Sequence, residues 1–133
     1  INLSLNIKPK EVFKSRDFLL VYECQDEIKK IKINRHYFDK INLGHGGVIV
    51  TSLSAEVDFV SRFFTPQATI LEDFVTGSSH CSLIPFWAKR LNKNNLEAIQ
   101  LSNRPGKLMC INNHDRVVIG GQAVIYSKGE FYI

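Results

Sequence analysis

From Val57 to Phe64 apolar and polar positions alternate, with Phe59, Ser61 and Phe63 on one face and Asp58, Val60, Arg62 and Phe64 on the other, the period of a β-strand. Short strands are also expected at Glu11 to Lys14 and Phe18 to Tyr22, joined by the turn-like Ser15-Arg16-Asp17. Another follows the Gly44-His45-Gly46-Gly47 break, at the β-branched run Val48-Ile49-Val50-Thr51. After position 95 the pattern predicts a meander of strands at Leu96 to Leu101, Lys107 to Asn112, Arg116 to Ile119, Gln122 to Tyr126 and Glu130 to Ile133. Its turns are Arg104-Pro105-Gly106, Asn112-Asn113-His114-Asp115 and Ser127-Lys128-Gly129. Two short helical stretches are expected at Gln25 to Ile31 and Arg35 to Ile41. Ser79 to Leu91 stands apart, because Leu83, Ile84, Phe86, Trp87, Ala88 and Leu91 make it apolar nearly all round. Such a helix is buried, and wrapping it in sheet is the simplest way to bury it in one domain, with Pro85 expected to kink or loosen its first turns.

The 133 residues, 44% of them hydrophobic and 23% charged, fit one soluble globular domain with a core that needs no staples. No apolar run is long enough to span a bilayer and no signal-peptide pattern opens the chain, so no membrane association is expected. The three cysteines, Cys24, Cys81 and Cys110, lack C-x-x-C spacing. That argues against a disulfide framework or a zinc site and for a reducing, cytoplasmic setting, with Cys81 read as a small buried helix residue. The net charge is +4 with a pI near 9.0, but the lysines scatter. The densest cluster, Lys29-Lys30-Ile31-Lys32, follows Asp26-Glu27 as the solvated face of a helix would, so no nucleic-acid partner is expected. No spacing of His, Cys and Asp suggests a metal, and no cofactor is expected.

Chemistry concentrates in Leu71-Glu72-Asp73-Phe74-Val75-Thr76-Gly77-Ser78-Ser79-His80-Cys81. A carboxylate stands shortly before a Gly-Ser turn that opens the apolar helix, and a helix start offers unpaired N–H groups and the positive end of the macrodipole. The same residues also serve as ordinary N-terminal punctuation, with Ser78 and Ser79 as caps and Asp73 as a charge for the dipole. His80 reads first as a neutral, locally bonded side chain; His45 lies in a glycine loop, and His36 and His114 read as surface residues. Arg62 and Arg104 can either reach a carboxylate or pair at the surface, and Trp87 belongs to the core.

Glu72 to Cys81 is similar to the signature E-D-P-V-T-G-S-A-H-C of the PhzF-like isomerases, a family named for phenazine biosynthesis. Asp58 to Pro66 resembles that family's D-F-V-S-R-F-F-A-P strand, and Pro85 to Leu91 its P-Y-W-A-K-R-L helix. Gln100 to Gly106 resembles its Q-L-S-x-R-G-G turn, and Arg116 to Ala123 its closing strands. Phe74 stands where the family has proline, and Pro105 replaces the first glycine of its R-G-G turn.

The resemblance implies an α+β fold, a curved antiparallel sheet or barrel around one central helix, as in diaminopimelate epimerase. It implies that 1–133 is one domain resembling the second half of a two-half protein. The first half would carry a glutamate acid/base in an N-x-x-E-T-x-F motif that this chain lacks. Asp73 and Ser78 would be the catalytic residues, Asp73 shuttling the proton, and Gly77, Ser78, Thr76, Ser79 and His80 would bind substrate. The implied activity is a cofactor-independent proton shift on a small carboxylated metabolite, the site being completed by another half or subunit. A homodimer, or pairing with a first half, is therefore expected. The alternative is a non-catalytic binding or assembly module on the same fold.

Overall fold

The computed structural model describes residues 1 and 3–132. Its elements are β1 (Glu11–Lys14), β2 (Phe18–Val21), α1 (Gln25–Lys30), α2 (Arg35–Phe38), β3 (Val48–Leu53), β4 (Phe59–Phe64), β5 (Glu72–Asp73), α3 (Gly77–Leu91), β6 (Asn95–Gln100), β7 (Gly106–Asn113) and β8 (Arg116–Gly120). The strands form one sheet in the order β1-β2-β3-β4-β6-β7-β8, with β5 attached to β4.

Period-two side chains divide the core into two layers. Leu19, Val21, Ile49, Phe59, Phe63, Leu96, Ala98, Leu108 and Cys110 face α3 and pack on its Leu83, Ile84, Trp87 and Ala88. The alternate positions, among them Leu20, Val48, Val50, Val60 and Phe64, pack under Ile28 of α1 and Phe38 of α2. Trp87 stacks on Phe59 with ring centroids 5.9 Å apart, and its indole N–H donates to the buried Thr51 Oγ1 at 2.9 Å. Both edge strands reach the same helix. Phe13 of β1 meets Phe86 edge to face at 5.6 Å, and Val117 and Ile119 of β8 pack on the helix cluster.

The α+β class and the sheet curled around one helix are those expected. The sheet is mixed and open, because β2 pairs with β3 and β4 with β6 in parallel, and β1 and β8 do not pair with each other. Pro85 does not interrupt α3; Cys81, whose carbonyl it leaves without an N–H donor, and Pro85 itself both lie on the exposed stripe of the helix, where water can serve instead. Exposure of Cys81 also corrects its reading as a buried residue. The strands expected at Gln122 to Tyr126 and Glu130 to Ile133 are absent from the described residues, and Ile133 itself lies outside them. Strand-type composition needs an edge to pair with, and Val124 and Tyr126 stand 93% and 99% exposed beyond β8. The opening segment Asn2 to Ile7, which by the family resemblance reads as the end of a connecting helix, is not helical among its described residues. Leu5 bridges Ile33, Tyr22 donates to the Ile7 carbonyl, and Asn2 lies outside the described residues.

One edge of β4 is shared, and this division places the site. Phe59 to Ser61 of β4 pair with Ala98 to Gln100, whereas Phe63 and Phe64 pair with Asp73 and Glu72. The end of β6 therefore meets β5 where the chain turns into α3.

Candidate functional site

Asp73 is exposed, and its carboxylate Oδ2 accepts the Thr76 hydroxyl at 2.7 Å. Thr76 occupies the N-cap position of α3, where a threonine commonly bonds the first-turn amides. Here its hydroxyl is turned to Asp73, and no side chain caps the helix. The Gly77 and Ser78 residues that open α3 are exposed, so their amides and the positive end of a 15-residue helix face outward.

The loop is tied from below by Gln100, which is fully buried at the end of β6. Its Oε1 accepts the Thr76 amide at 2.8 Å, while its Nε2 donates to the Asp73 carbonyl at 2.9 Å and to Thr76 Oγ1 at 3.0 Å. Ser102 adds a bond to the Phe74 carbonyl at 3.1 Å. The Phe74 ring, standing where the resembling family has proline, lies under the Arg104 guanidinium at 4.7 Å, which holds this side of the loop. At Gly106 a Cβ would come within 2.6 Å of Val75 Cγ2, so the loop can lie on β7 only because that position lacks a side chain.

Arg62 anchors β5 on its other face. It makes two bonds to Glu72, at 2.6 and 2.9 Å, and donates to the Ile28 and Ile31 carbonyls at the end of α1. It thus belongs to a half-buried ion pair and stays away from the helix mouth.

The expected substrate-binding residues divide into two groups. Gly77 and Ser78 are exposed at the helix start, and Gly77 lines a cleft of about 470 Å³ shared with Val75, Gly106, Lys107 and Gly120. Asp73 and Ser78 are not among that cleft's lining residues. Thr76, Ser79 and His80 lie inward. The Ser79 hydroxyl bonds back to the Thr76 carbonyl at 2.8 Å, and His80 Nδ1 lies 2.8 Å from the same oxygen. His80 is fully buried against Phe59, and burial holds its imidazole below the ordinary histidine value although the bond to Thr76 opposes the shift. These three side chains shape the turn from within. His80 Nε2 and Ser61 Oγ are buried without a partner among the described residues.

Two residues at the site escaped the sequence reading. One is Gln100, a polar side chain at an inward strand position. The other is Arg16, in the turn between β1 and β2. Its Nη2 donates to Asp17 Oδ2 at 3.0 Å and to Ser78 Oγ at 3.3 Å, so a guanidinium stands beside the helix start. Asp17 is itself buried and accepts the Gly47 amide at 2.8 Å, which fixes the arginine's base. The detectable signal was an Arg-Asp pair beginning a strand, though only the fold brings it to Ser78.

Among the described residues no group of His, Cys, Asp and Glu is arranged to hold a metal, and no helix is long and apolar enough to cross a membrane.

Residues 7–129 match the family model described as phenazine biosynthesis-like protein. An uncharacterized isomerase of Pseudomonas aeruginosa is 44% identical over 128 residues, which cover 96% of this chain and 48% of that protein. An uncharacterized isomerase of Halalkalibacterium halodurans is 40% identical over 132 residues, covering 97% of this chain and 49% of the relative. The crystal structure of a PhzF-family phenazine biosynthesis protein from Enterococcus faecalis superposes with a TM-score of 0.90 at 42% identity, over 99% of this chain and 50% of that one. The chain thus spans about half the length of the relatives it matches. With a family model covering nearly all of it and the fold shared with that crystal structure, the chain belongs to the phenazine biosynthesis-like (PhzF) family.

Proposed function

We propose that this chain carries one half of an isomerase site that moves a proton on a small carboxylated metabolite without a cofactor. The observation that supports this most is the diverted cap, since Thr76 bonds Asp73 and so leaves the first amides of α3 free beside a carboxylate. An acid/base at a helix start is suited to removing a proton from a carbon next to a carboxylate. The Gly77 and Ser78 amides, the Ser78 hydroxyl and the Arg16 guanidinium receive the substrate carboxylate and the enolate-like charge that develops on it. Asp73 takes the proton: the substrate C–H bond breaks, an O–H bond forms on the carboxylate, and the electron pair remains on the substrate, spread into its carboxylate. Returning the proton at another carbon or face completes the isomerisation. Thr76, Ser79 and His80 hold the turn in shape. The two relatives quoted above are named isomerases, which favours this reading over a non-catalytic binding module.

The second acid/base comes from another half or subunit. Apolar side chains left bare on this chain, including Val124, Ile125, Tyr126, Phe131 and Tyr132, favour association with a second copy or a complementary half. A dimer is expected by light scattering at micromolar concentration, and a monodisperse monomer counts against that part. The catalytic test is incorporation of solvent deuterium into carboxylate metabolites by this chain, alone and mixed with the first half of a relative. Asp73→Asn is expected to abolish incorporation; full incorporation by that variant removes Asp73 from the mechanism.

A further inference from the structure

We propose that Gln100 is a positioning residue: it reserves Oδ2 of Asp73 as a permanent acceptor and so makes Oδ1 the oxygen that takes up and returns the proton. The functional part of this statement rests on the reading of Asp73 as the base.

The Thr76 amide can only donate and the Asp73 carbonyl can only accept, so their contacts with Gln100, at 2.8 and 2.9 Å, decide which end of its side-chain amide is oxygen and which is NH2. The remaining Nε2 hydrogen goes to Thr76 Oγ1 at 3.0 Å. Having received that hydrogen, the threonine hydroxyl directs its own single proton to Asp73 Oδ2, 2.7 Å away, which as a carboxylate oxygen can only accept. The chain of donors therefore runs one way, from Gln100 through Thr76 to Asp73. A proton arriving on Oδ2 would oppose the threonine's proton and break this chain. A proton arriving on Oδ1, which no described residue bonds, leaves it intact. Gln100 is fully buried, so water does not compete for its hydrogens.

The test is NMR of the chain as it stands and needs no turnover. Exchange of the Thr76 hydroxyl proton with water is compared in the wild type, Gln100→Met and Thr76→Ser. The wild-type proton is expected to be protected, and Thr76→Ser to keep a protected hydroxyl. Gln100→Met is expected to speed exchange by roughly fivefold or more, the factor a net hydrogen bond confers, with the remaining amide spectrum unchanged. If Gln100→Met does not fold, Gln100→Leu also removes both Nε2 hydrogens, and the same acceleration is expected. Unchanged hydroxyl exchange in the folded Gln100 variant overturns the proposal, whatever Asp73→Asn does to deuterium incorporation. Conversely, incorporation that survives Asp73→Asn removes the catalytic reading while the hydroxyl result stands by itself. In an assembly that turns over, Gln100→Met is expected to lower kcat at unchanged KM, and an unchanged kcat overturns the assignment of Oδ1.

Discussion

At its carboxyl end α3 is closed by its own chain. Asn92 adopts a left-handed conformation, with φ of 50°, and its amide and that of Lys93 return to the Ala88 carbonyl. Lys89 and Arg90 complement the dipole there, and Arg90 is bonded to Glu11 of β1 at 2.6 Å. At its amino end the same helix has no side-chain cap and no acidic residue in its first turn, and its N-cap hydroxyl points away to Asp73. One end of the helix thus folds back on its own last turn while the other leaves its first amides open, the arrangement that the proposed anionic substrate would use.

If the closed end and the helix body serve stability while the open end serves chemistry, substitutions should separate the two. The largest loss is expected for Trp87→Ala, at about 3–5 kcal/mol in denaturant unfolding, because a buried indole stacked on Phe59 is replaced by a cavity and Thr51 Oγ1 loses the indole N–H it accepts. Asp73→Asn is expected to leave the unfolding midpoint almost in place, since the side chain is exposed, while lowering proton exchange by about 10²–10⁴-fold under the proposed role of Asp73 as the base. A destabilisation as large as that of Trp87→Ala would erase the contrast. Asn92→Ala is expected to cost about 1 kcal/mol, the strain of a Cβ without a compensating polar group at positive φ, with exchange untouched.

The smallest effect is a pH dependence. His80 is buried with its proton affinity depressed in the fold, so the unfolded chain binds that proton more readily. Its contribution is complete above the unfolded value of about 6.5 and is lost as pH falls through the lower folded value. Stability should therefore decline on acidification below about pH 6.5, and His80→Phe should flatten that slope in a pH series of thermal melts.

The parts of the fold that were legible are those where one period dominates. Phe59 to Phe64 alternates because both faces of β4 pack on different layers, and Leu83, Ile84, Trp87 and Ala88 recur at helical spacing because the sheet covers that face of α3, whereas the expected all-round burial fails at the exposed Pro85, Lys89 and Arg90. The parallel pairings of β2 with β3 and β4 with β6 could not be read, since pairing partners leave no mark on local sequence. Cys81 looked buried by type, but it falls on the stripe of α3 that the open sheet leaves uncovered. At the site, Asp73 and the Thr76-Gly77-Ser78 turn were found as a contiguous run resembling a known signature. Gln100 and Arg16 were not, because their roles depend on the register of Ser61 with Gln100 and on a turn reaching across to Ser78. His80 and Ser79 lie within the run, but helix phase turns them inward.

The bare segment after β8 bears on how such a chain behaves in concentrated solution. Gln122-Ala123-Val124-Ile125-Tyr126 carries no charge and no proline, and it leaves the sheet beside an unpaired edge strand. An exposed run of that composition at a sheet edge is an aggregation hazard of the cross-β kind. Whatever covers this segment also guards the chain against fibril growth, so assembly here would preserve solubility as well as complete a site.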